Sequence, residues 1–417
     1  MSPIFLLVFL LVSAAEGDPV CRLGPISTVQ VTVKGLREVD ALSAAGFNIS
    51  SVAGRRVTVH ASAEELGRLR VLGYTVKEWE RPRTAEGYPT YEEVTSTLHD
   101  YATAYPHITY LTSLGESVLG RQLWALLITD NPGMEEDEPE FKYVSTMHGD
   151  EPLGTILCVY FIEKLLSDYG SDARVSQLVD STAIWIVPLM NPDGYQGVSR
   201  FNASGVDLNR DFPIYPDDYM GNRFDGTPLL DEGRQPETVH IMTWTAQNSF
   251  VLSANIHTGA LVVNYPYDDD GGFSGVDQPT PDDALFEYLA LQYAQHNPPV
   301  YASAVFPQGI TNGAAWFVIR GGMQDWMYRY TSCFEVTLEL SEERIPPASA
   351  LPQYWADNEE SMMAYLEAVH IGVRGLVTDA RTGAPLYAKV LVEGNSQPVF
   401  TDPDVGDYHR LLLPGPY

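Results

Sequence analysis

Apolar and polar positions between residues 27 and 80 follow a pattern that predicts a strand, a helix, a strand, a further strand or turn, a helix and a strand. Residues 29–33 alternate as in a strand with one buried face, and residues 36–45 have helical spacing. Ser62 followed by Glu65 forms a capping box that opens the second helix. We therefore predict a small α/β domain over residues 27–80, which is either a pro-segment or a permanent accessory domain.

The stretch from residue 88 to residue 370 alternates helical runs with short apolar strands, among them residues 123–128, 143–146, 183–188 and 250–255. This alternation predicts a sheet covered by helices, as in α/β proteins. The pattern changes in residues 371–417, where short predicted strands over residues 372–378, 388–393, 399–402 and 408–413 are separated by Gly and Pro turns. We expect an all-β domain there, and we expect it to be incomplete.

The chain opens with an apolar run over residues 4–12, followed by the small residues Ser13, Ala14 and Ala15. The run is too short to span a bilayer and has the character of a signal peptide, assigned to residues 1–17. No later segment approaches about 18 uninterrupted apolar residues, so we expect no transmembrane segment. The predicted location is secreted, or within the secretory pathway.

The chain is strongly acidic, with 55 Asp and Glu against 25 Lys and Arg, a formal charge of −30. Such a field repels nucleic acid and anionic membranes and favours cationic ligands, although an acidic surface also serves solubility alone. The three cysteines do not form a thiolate metal site, and Cys158 and Cys333 are expected as buried structural residues.

His148 and Glu151 stand three residues apart, directly after an apolar strand. By itself this pair is weak evidence, because nine His and 55 acidic residues produce about one such spacing by chance. His257 follows another predicted strand, and alone it would be read as a hydrogen-bonded histidine. Together the three side chains match the nitrogen and oxygen ligands of a catalytic zinc ion that keeps one position open.

A reaction at such a metal also needs a base and groups that hold the substrate. Glu335 and Glu339 lie on one face of an alternating apolar strand, where buried acids are costly unless they are paired or functional. Arg200 is placed to stabilise an oxyanion, and adjacent Asn209 and Arg210 can hold a free carboxylate. Taken singly, each arginine would be read as a solvated surface residue.

Five segments of the chain, taken in order, resemble the regulatory zinc metallocarboxypeptidases, the carboxypeptidase D, E, M and N group. They are residues 148–151, 191–195, 207–213, 264–269, and 321–325 leading to 337–341. The resemblance implies a mixed eight-stranded sheet flanked by helices, followed by a transthyretin-like β-sandwich over residues 371–417. It implies one bound zinc ion.

The resemblance also implies roles for individual residues. His148, Glu151 and His257 match the zinc ligands, Glu339 the general base, Arg200 the oxyanion arginine, and Asn209 and Arg210 the pair that grips the terminal carboxylate. Asp268 and Gln324 match positions that select Lys or Arg as the last residue. The alternative for Asp268 is a solvated acid in the run of residues 268–270.

Two positions depart from the group. Phe317 stands where its active members carry a tyrosine that closes over the substrate, so one hydrogen bond is lost, at a cost of about 1 kcal/mol. Asp150 replaces an asparagine beside the metal ligands and changes the charge there. We expect the change at Phe317 to weaken binding without abolishing catalysis.

The sequence therefore predicts a secreted, monomeric zinc carboxypeptidase that removes Lys or Arg from peptide and protein C-termini, without nucleic-acid partners. Two alternatives remain open at this point. One is a catalytically silent homologue that binds peptides, and the other is a carboxypeptidase with a different side-chain specificity.

Overall fold

The computed structural model describes residues 26–78, 85–218 and 221–417. The predicted signal peptide, residues 1–17, and Cys21 lie outside these ranges. Within them, no helix combines the length and the apolar character that crossing a membrane requires. Cys158 and Cys333 are both buried free thiols, as predicted.

The N-terminal unit is a four-stranded sheet with two helices, and its order of elements confirms the prediction. The elements are β1 (Ser27–Thr32), α1 (Leu36–Ala44), β2 (Asn48–Ala53), β3 (Arg56–Ala61), α2 (Ala63–Val71) and β4 (Lys77–Glu78). The capping box of Ser62 and Glu65 opens α2. The strands run in the order β2-β3-β1-β4, which leaves β2 at an edge of the sheet.

The central unit is a mixed eight-stranded sheet, as predicted, in the order β11-β10-β12-β9-β7-β8-β6-β5. Its strands are β5 (Thr109–Glu116), β6 (Gln122–Ile128), β7 (Glu140–Ser145), β8 (Ala183–Val187), β9 (Phe250–His257), β10 (Ala260–Tyr265), β11 (Ile310–Asn312) and β12 (Phe334–Ser341). Its helices are α3 (Tyr91–Ala104), α4 (Leu153–Asp168), α5 (Ala173–Val179), α6 (Pro192–Gln196), α7 (Pro236–Gln247), α8 (Asp283–Ala294), α9 (Pro298–Tyr301), α10 (Gly313–Trp316), α11 (Met323–Trp326) and α12 (Leu351–Glu367).

The middle strands of this sheet are covered on both faces. Every residue of β7 and β9 is buried. Tyr143 packs into one apolar cluster with residues of α4, α8 and α12, and its neighbour Val144 packs into a second cluster with residues of α7 and α11. Strands β8, β7, β9 and β12 pair in parallel. Since helices occupy both faces, a ligand reaches such a sheet at the carboxyl ends of its strands.

The C-terminal residues form shorter strands than the pattern predicts: β13 (Val373–Leu376), β14 (Lys389–Val390), β15 (Val399–Phe400) and β16 (Asp407–Arg410). They pair as two separate two-stranded ladders, β13 with β16 and β14 with β15. The predicted strand over residues 408–413 ends early because Leu411 turns into the core of the central unit. Arg410 is buried and its Nη2 lies 2.6 Å from Oδ1 of Asp282, which ties β16 to the start of α8.

Candidate active site

The three predicted metal ligands converge at the carboxyl ends of two neighbouring parallel strands. His148 follows β7, Glu151 precedes α4, and His257 is the last residue of β9. Glu151 Oε1 lies 3.2 Å from His148 Nδ1, and Glu151 Oε2 lies 2.8 Å from His257 Nδ1. One ligand atom of each residue lies within 4.8 Å of the other two. Two nitrogens and one oxygen around one point fit a zinc ion with an open fourth position.

The surroundings of this group favour a bound cation. All three side chains are 2% exposed. Burial alone would raise the pKa of Glu151, but the charge of His148 and hydrogen bonds from both imidazoles hold that pKa well below its usual range. Burial, with the charge of His148, lowers the pKa of His257 to about 4, so this imidazole stays neutral. A carboxylate beside neutral imidazole is the protonation state that metal binding requires.

Asp207 holds the first of the two imidazoles in position. Its Oδ1 lies 2.9 Å from His148 Nε2, the ring nitrogen on the side away from Glu151. A carboxylate behind a metal-binding histidine fixes the orientation of the ring and makes the facing nitrogen a better ligand. The sequence analysis missed this residue, although it opens the 207–213 segment. Its position two residues before Asn209, in a segment already assigned to the site, is the signal that could have identified it.

Arg200 lies beside the ligands, buried among negative charges. Its Nη1 is 3.1 Å from His148 Nδ1 and 3.3 Å from Glu151 Oε1. Its Nε donates to Asp207 Oδ2 at 2.9 Å. Burial would lower the pKa of Arg200, but the charges of Asp207 and Glu151 more than offset this and raise it. A permanent positive charge therefore stands next to the candidate metal position.

Glu339 lies on β12 directly opposite His257 in the parallel pairing, and it lines the same cavity as the three ligands. Its Oε2 is buried and has no hydrogen-bond partner among the described residues. Burial and then the charge of Glu151 raise the pKa of Glu339 well above its usual value. An unpartnered carboxylate oxygen at this position is free to exchange a proton with water at the metal.

The second acid of the same strand is accounted for by packing. Glu335 is fully buried, accepts a hydrogen bond from Ser253 Oγ at 2.6 Å and another from Asn255 Nδ2 at 3.0 Å. Both of its carboxylate oxygens thus have hydrogen-bond partners, four residues before Glu339 along the strand. Of the two acids that the pattern placed on one face, Glu339 is the one that reaches the candidate metal.

The cavity above the ligands contains most of the residues that the sequence analysis assigned to the substrate. Its lining is Ser50, His148, Glu151, Arg200, Asn209, Arg210, His257, Asn264, Asp268, Trp316, Phe317, Ile319, Thr337 and Glu339. Gln324 lies behind this wall, where it bonds to Asn264 at 3.3 Å and to Thr337 at 2.9 Å. The open space is about 20 Å³, which is room for one water molecule and not for an amino acid side chain.

Asp268 is the acid at the far end of the cavity. It is 2% exposed, and Asn264 Nδ2 donates to its Oδ1 at 3.3 Å. Burial and then the charge of Asp325 raise the pKa of Asp268 well above its usual value. Gly313 permits its approach, because a Cβ at this position would come within 1.9 Å of Asp268 Oδ1. The structure therefore does not leave Asp268 as a solvated acid in the run of residues 268–270.

The two departures from the family pattern have definite surroundings. Phe317 lines the cavity, is 3% exposed and packs into the apolar cluster of the N-terminal unit. Asp150 does not add an uncompensated charge near the ligands, since its Oδ2 lies 3.4 Å from Nη1 of Arg344. The same guanidinium lies 3.9 Å from Glu151 Oε1.

The edge strand β2 of the N-terminal unit covers the cavity. Its pairing with β3 is interrupted between Ile49 and Ser51, a bulge that turns Ser50 towards the cavity. Arg210 Nη2 donates to the carbonyl of Ile49 at 2.7 Å, and Trp316 Nε1 donates to the carbonyl of Val52 at 3.0 Å.

Two side chains of β2 add to these contacts. Asn48 Nδ2 donates to Asp207 Oδ2 at 2.9 Å, and Ser50 Oγ accepts from Arg344 at 2.6 Å. The N-terminal unit thus contacts Asp207, which lies behind His148, and Arg344, which lies near Glu151. A sequence pattern that predicts a separate domain does not reveal this contact.

Comparison with known proteins agrees with this geometry. The model of the family described as zinc carboxypeptidase matches residues 94–361. Mouse carboxypeptidase D is 43% identical over 339 residues, which cover 77% of this chain and 24% of that protein. The human carboxypeptidase N catalytic chain is 42% identical over 359 residues, which cover 78% of each chain. The chain therefore spans about a quarter of the length of the carboxypeptidase D relatives it matches.

The fold is also found among solved structures. Carboxypeptidase A from Helicoverpa armigera superposes with a TM-score of 0.63 at 20% identity, covering 83% of this chain and 98% of that one. At this level of identity the likeness establishes the architecture alone. It supports the mixed sheet and its flanking helices.

The contact between Asp207 and His148 generates a test of the metal group. We expect Asp207→Asn to weaken zinc binding by about 10- to 100-fold, because the imidazole loses the carboxylate that orients it. Competition with a chromophoric chelator measures the affinity. Asn48→Ala is the matched control, since it removes one of the two donors to Asp207 Oδ2, leaves the other, Arg200, in place and does not touch the bond of Oδ1 to His148. Equal zinc affinities in wild type and Asp207→Asn would contradict the assignment.

Proposed function

The chain belongs to the zinc carboxypeptidase family, and we propose that it is an exopeptidase that hydrolyses the last peptide bond of peptides and proteins. One observation carries the proposal. His148, Glu151 and His257 converge in a buried cavity with an unpartnered oxygen of Glu339. These residues supply a metal position and a base in one place, which is what amide hydrolysis by water requires.

In the proposed mechanism, a zinc ion held by the three ligands would supply a Lewis acid that polarises the scissile carbonyl and lowers the pKa of water. Glu339 takes a proton from the attacking water at Oε2 and returns it to the nitrogen of the leaving amino acid. Arg200 stabilises the negative charge that develops on the carbonyl oxygen. Asn209 and Arg210 bind the terminal carboxylate, which restricts cleavage to the chain end.

Replacement of the base tests this function directly. We expect Glu339→Gln to lower the rate of release of C-terminal residues by about 10²- to 10⁴-fold, because the amide cannot accept the proton. Zinc content, measured on the same samples, should stay at one ion per chain. A wild-type protein that carries no metal and cleaves nothing would instead favour the alternative of a silent peptide-binding homologue.

We further propose that the released residue is Lys or Arg. Asp268 supports this specificity because it is a buried carboxylate with no cationic partner within hydrogen-bond distance among the described residues, and a substrate ammonium or guanidinium would provide one. Gln324 contributes by holding Asn264, which in turn contacts Asp268. A carboxypeptidase for apolar C-termini would leave this carboxylate unpaired in every complex.

The specificity proposal has a matched pair of variants. We expect Asp268→Asn to lower kcat/KM for peptides ending in Arg by about 100-fold or more, and to change it little for peptides ending in Leu. Asp269→Asn is the control, since that neighbouring acid already pairs with Arg320 at 3.0 Å. Peptides that differ only in the last residue provide the measurement. Equal losses on both peptides would show that Asp268 does not face the substrate side chain.

We also propose that residues 27–80 act as an inhibitory pro-domain. Two observations on β2 support this. The Ile49 carbonyl accepts a hydrogen bond from Nη2 of Arg210, and the cavity left beside the ligands has room for about one water molecule. A substrate carboxylate needs that same nitrogen. Binding of substrate therefore requires β2 to move away.

Weakening the contacts of β2 tests this inhibition. We expect the double variant Asn48→Ala, Ser50→Ala to cleave small peptides about 10-fold faster than the wild-type chain, because it loses two hydrogen bonds to charged partners. Glu64→Ala, an exposed change on α2, is the control. Initial rates on one substrate at equal zinc content decide the matter. Identical rates in all three proteins would mark the N-terminal unit as a permanent accessory domain.

The remaining features of the proposal concern the whole protein. We propose that it acts in the secretory pathway or outside the cell, on the basis of the apolar run and small residues at the start of the sequence. We propose that residues 371–417 belong to a transthyretin-like β-sandwich. The paired strands β13–β16 and β14–β15 are compatible with it.

A further inference from the structure

Acidic side chains gather where the central unit meets the C-terminal strands, around a cavity that shares no lining residue with that of the candidate active site. One group precedes or begins β7, and the other lies in the turn between β15 and β16. The residues are Glu135, Glu138, Glu140, Asp402, Asp404 and Asp407. Most of them line a separate cavity of about 20 Å³, which is large enough for one ion or one water molecule.

Three of these acids meet closely. Glu135, Glu140 and Asp402 each offer a carboxylate oxygen within 4.8 Å of the other two. Glu140 is 4% exposed and Asp402 is 7% exposed, while Glu135 lies at the surface. Burial, followed by the charges of neighbouring carboxylates, raises the pKa of Glu140 to about 8 and that of Glu135 to about 7. Without a cation, the seam thus brings like charges together at a cost.

The hydrogen bonds orient these carboxylates but leave oxygens unused. Glu140 Oε1 accepts from the Ser249 amide at 2.8 Å, and Asp402 Oδ2 accepts from Ser249 Oγ at 2.9 Å. Glu140 Oε2 and Asp407 Oδ1 are buried and have no hydrogen-bond partner among the described residues. A buried, unpartnered carboxylate oxygen is expensive, and it signals a ligand that would satisfy it.

The charge of Arg223 lowers the pKa of Glu140 and so offsets part of the effect of burial, but no basic group donates to the unpartnered oxygen among the described residues. Arg223 lines the cavity, but its Nη1 donates to the carbonyls of Ala246 at 3.0 Å and Asn248 at 2.8 Å. His409 is engaged with the other oxygen of Asp407, at 2.9 Å. Neither atom reaches the unpartnered oxygen of Glu140.

We propose that Glu135, Glu140 and Asp402 bind one divalent cation of the calcium class, which fastens the C-terminal strands to the central sheet. The donor set consists of carboxylate oxygens, which hard cations prefer and which differ from the imidazole-containing set of the active site. Two ligands come from the central unit and one from the C-terminal turn. The ion would therefore bridge segments that the chain connects only through more than two hundred intervening residues.

Calcium titration of the full-length, zinc-loaded protein tests the proposal. Calorimetry in calcium-free buffer should show one Ca²⁺ bound per chain, and added Ca²⁺ should raise the melting temperature. We expect Glu140→Gln to weaken this binding by at least about 10-fold, since it removes a charged ligand. Glu232→Gln, which removes the same charge from an exposed residue outside this cavity, should stay within about threefold of wild type.

A second variant and three contrary outcomes complete the test of the calcium site. Glu135→Gln alters an exposed side chain and should weaken binding even if the buried substitution at Glu140 prevents folding. Binding of Ca²⁺ that is unaffected by Glu135→Gln and Glu140→Gln, or no binding up to millimolar Ca²⁺, would overturn the proposal. So would a second site that takes Zn²⁺ and not Ca²⁺, which would point to the adjoining trio of Asp137, Asp407 and His409.

Discussion

The burial of Glu151 between two imidazoles is the constraint on which the rest of the site depends. A carboxylate removed from water is costly unless charges and hydrogen bonds surround it. Here the compensation comes from both histidines and from Arg200, and Arg200 in turn needs Asp207. These side chains therefore depend on one another. The histidines and Arg200 keep Glu151 ionised, and Asp207 balances the charge of Arg200 and orients His148. A cation at their centre would add a positive charge beside Glu151 that His257, being neutral, does not provide.

The parallel strands explain why this set can form so far inside the protein. Covering both faces of β7, β9 and β12 with helices leaves their carboxyl ends as the place where polar groups can be reached from outside. Each of these strands contributes a functional side chain at or just past that end. The rigid ladder below them fixes the separation of His257 and Glu339, which face each other across one pair of strands. The main-chain hydrogen bonds between β9 and β12 thus determine the relative positions of these two side chains.

The sequence was most informative where a function leaves a local pattern. The spacing of His148 and Glu151, and the strand ending at His257, pointed to three side chains that the structure brings together, and hydrophobic periodicity predicted the central sheet. It was least informative where the contact joins distant segments. Ile49 touches Arg210 through a carbonyl that every residue type carries, and Glu140 meets Asp402 only after the whole sheet has formed. The short C-terminal strands were overestimated for a related reason, since the burial of Leu411 competes with strand extension.

The hold of β2 on Arg210 and Trp316 has a consequence for mutational tolerance. Both contacts end on peptide carbonyls, of Ile49 and Val52, so replacing either side chain leaves the acceptor in place. What the interaction needs is the shape of an edge strand with a bulge at Ser50, and many sequences can adopt that shape. Ile49 and Val52 can therefore be replaced with little loss of these two contacts, whereas Arg210 and Trp316, which donate through their side chains, cannot.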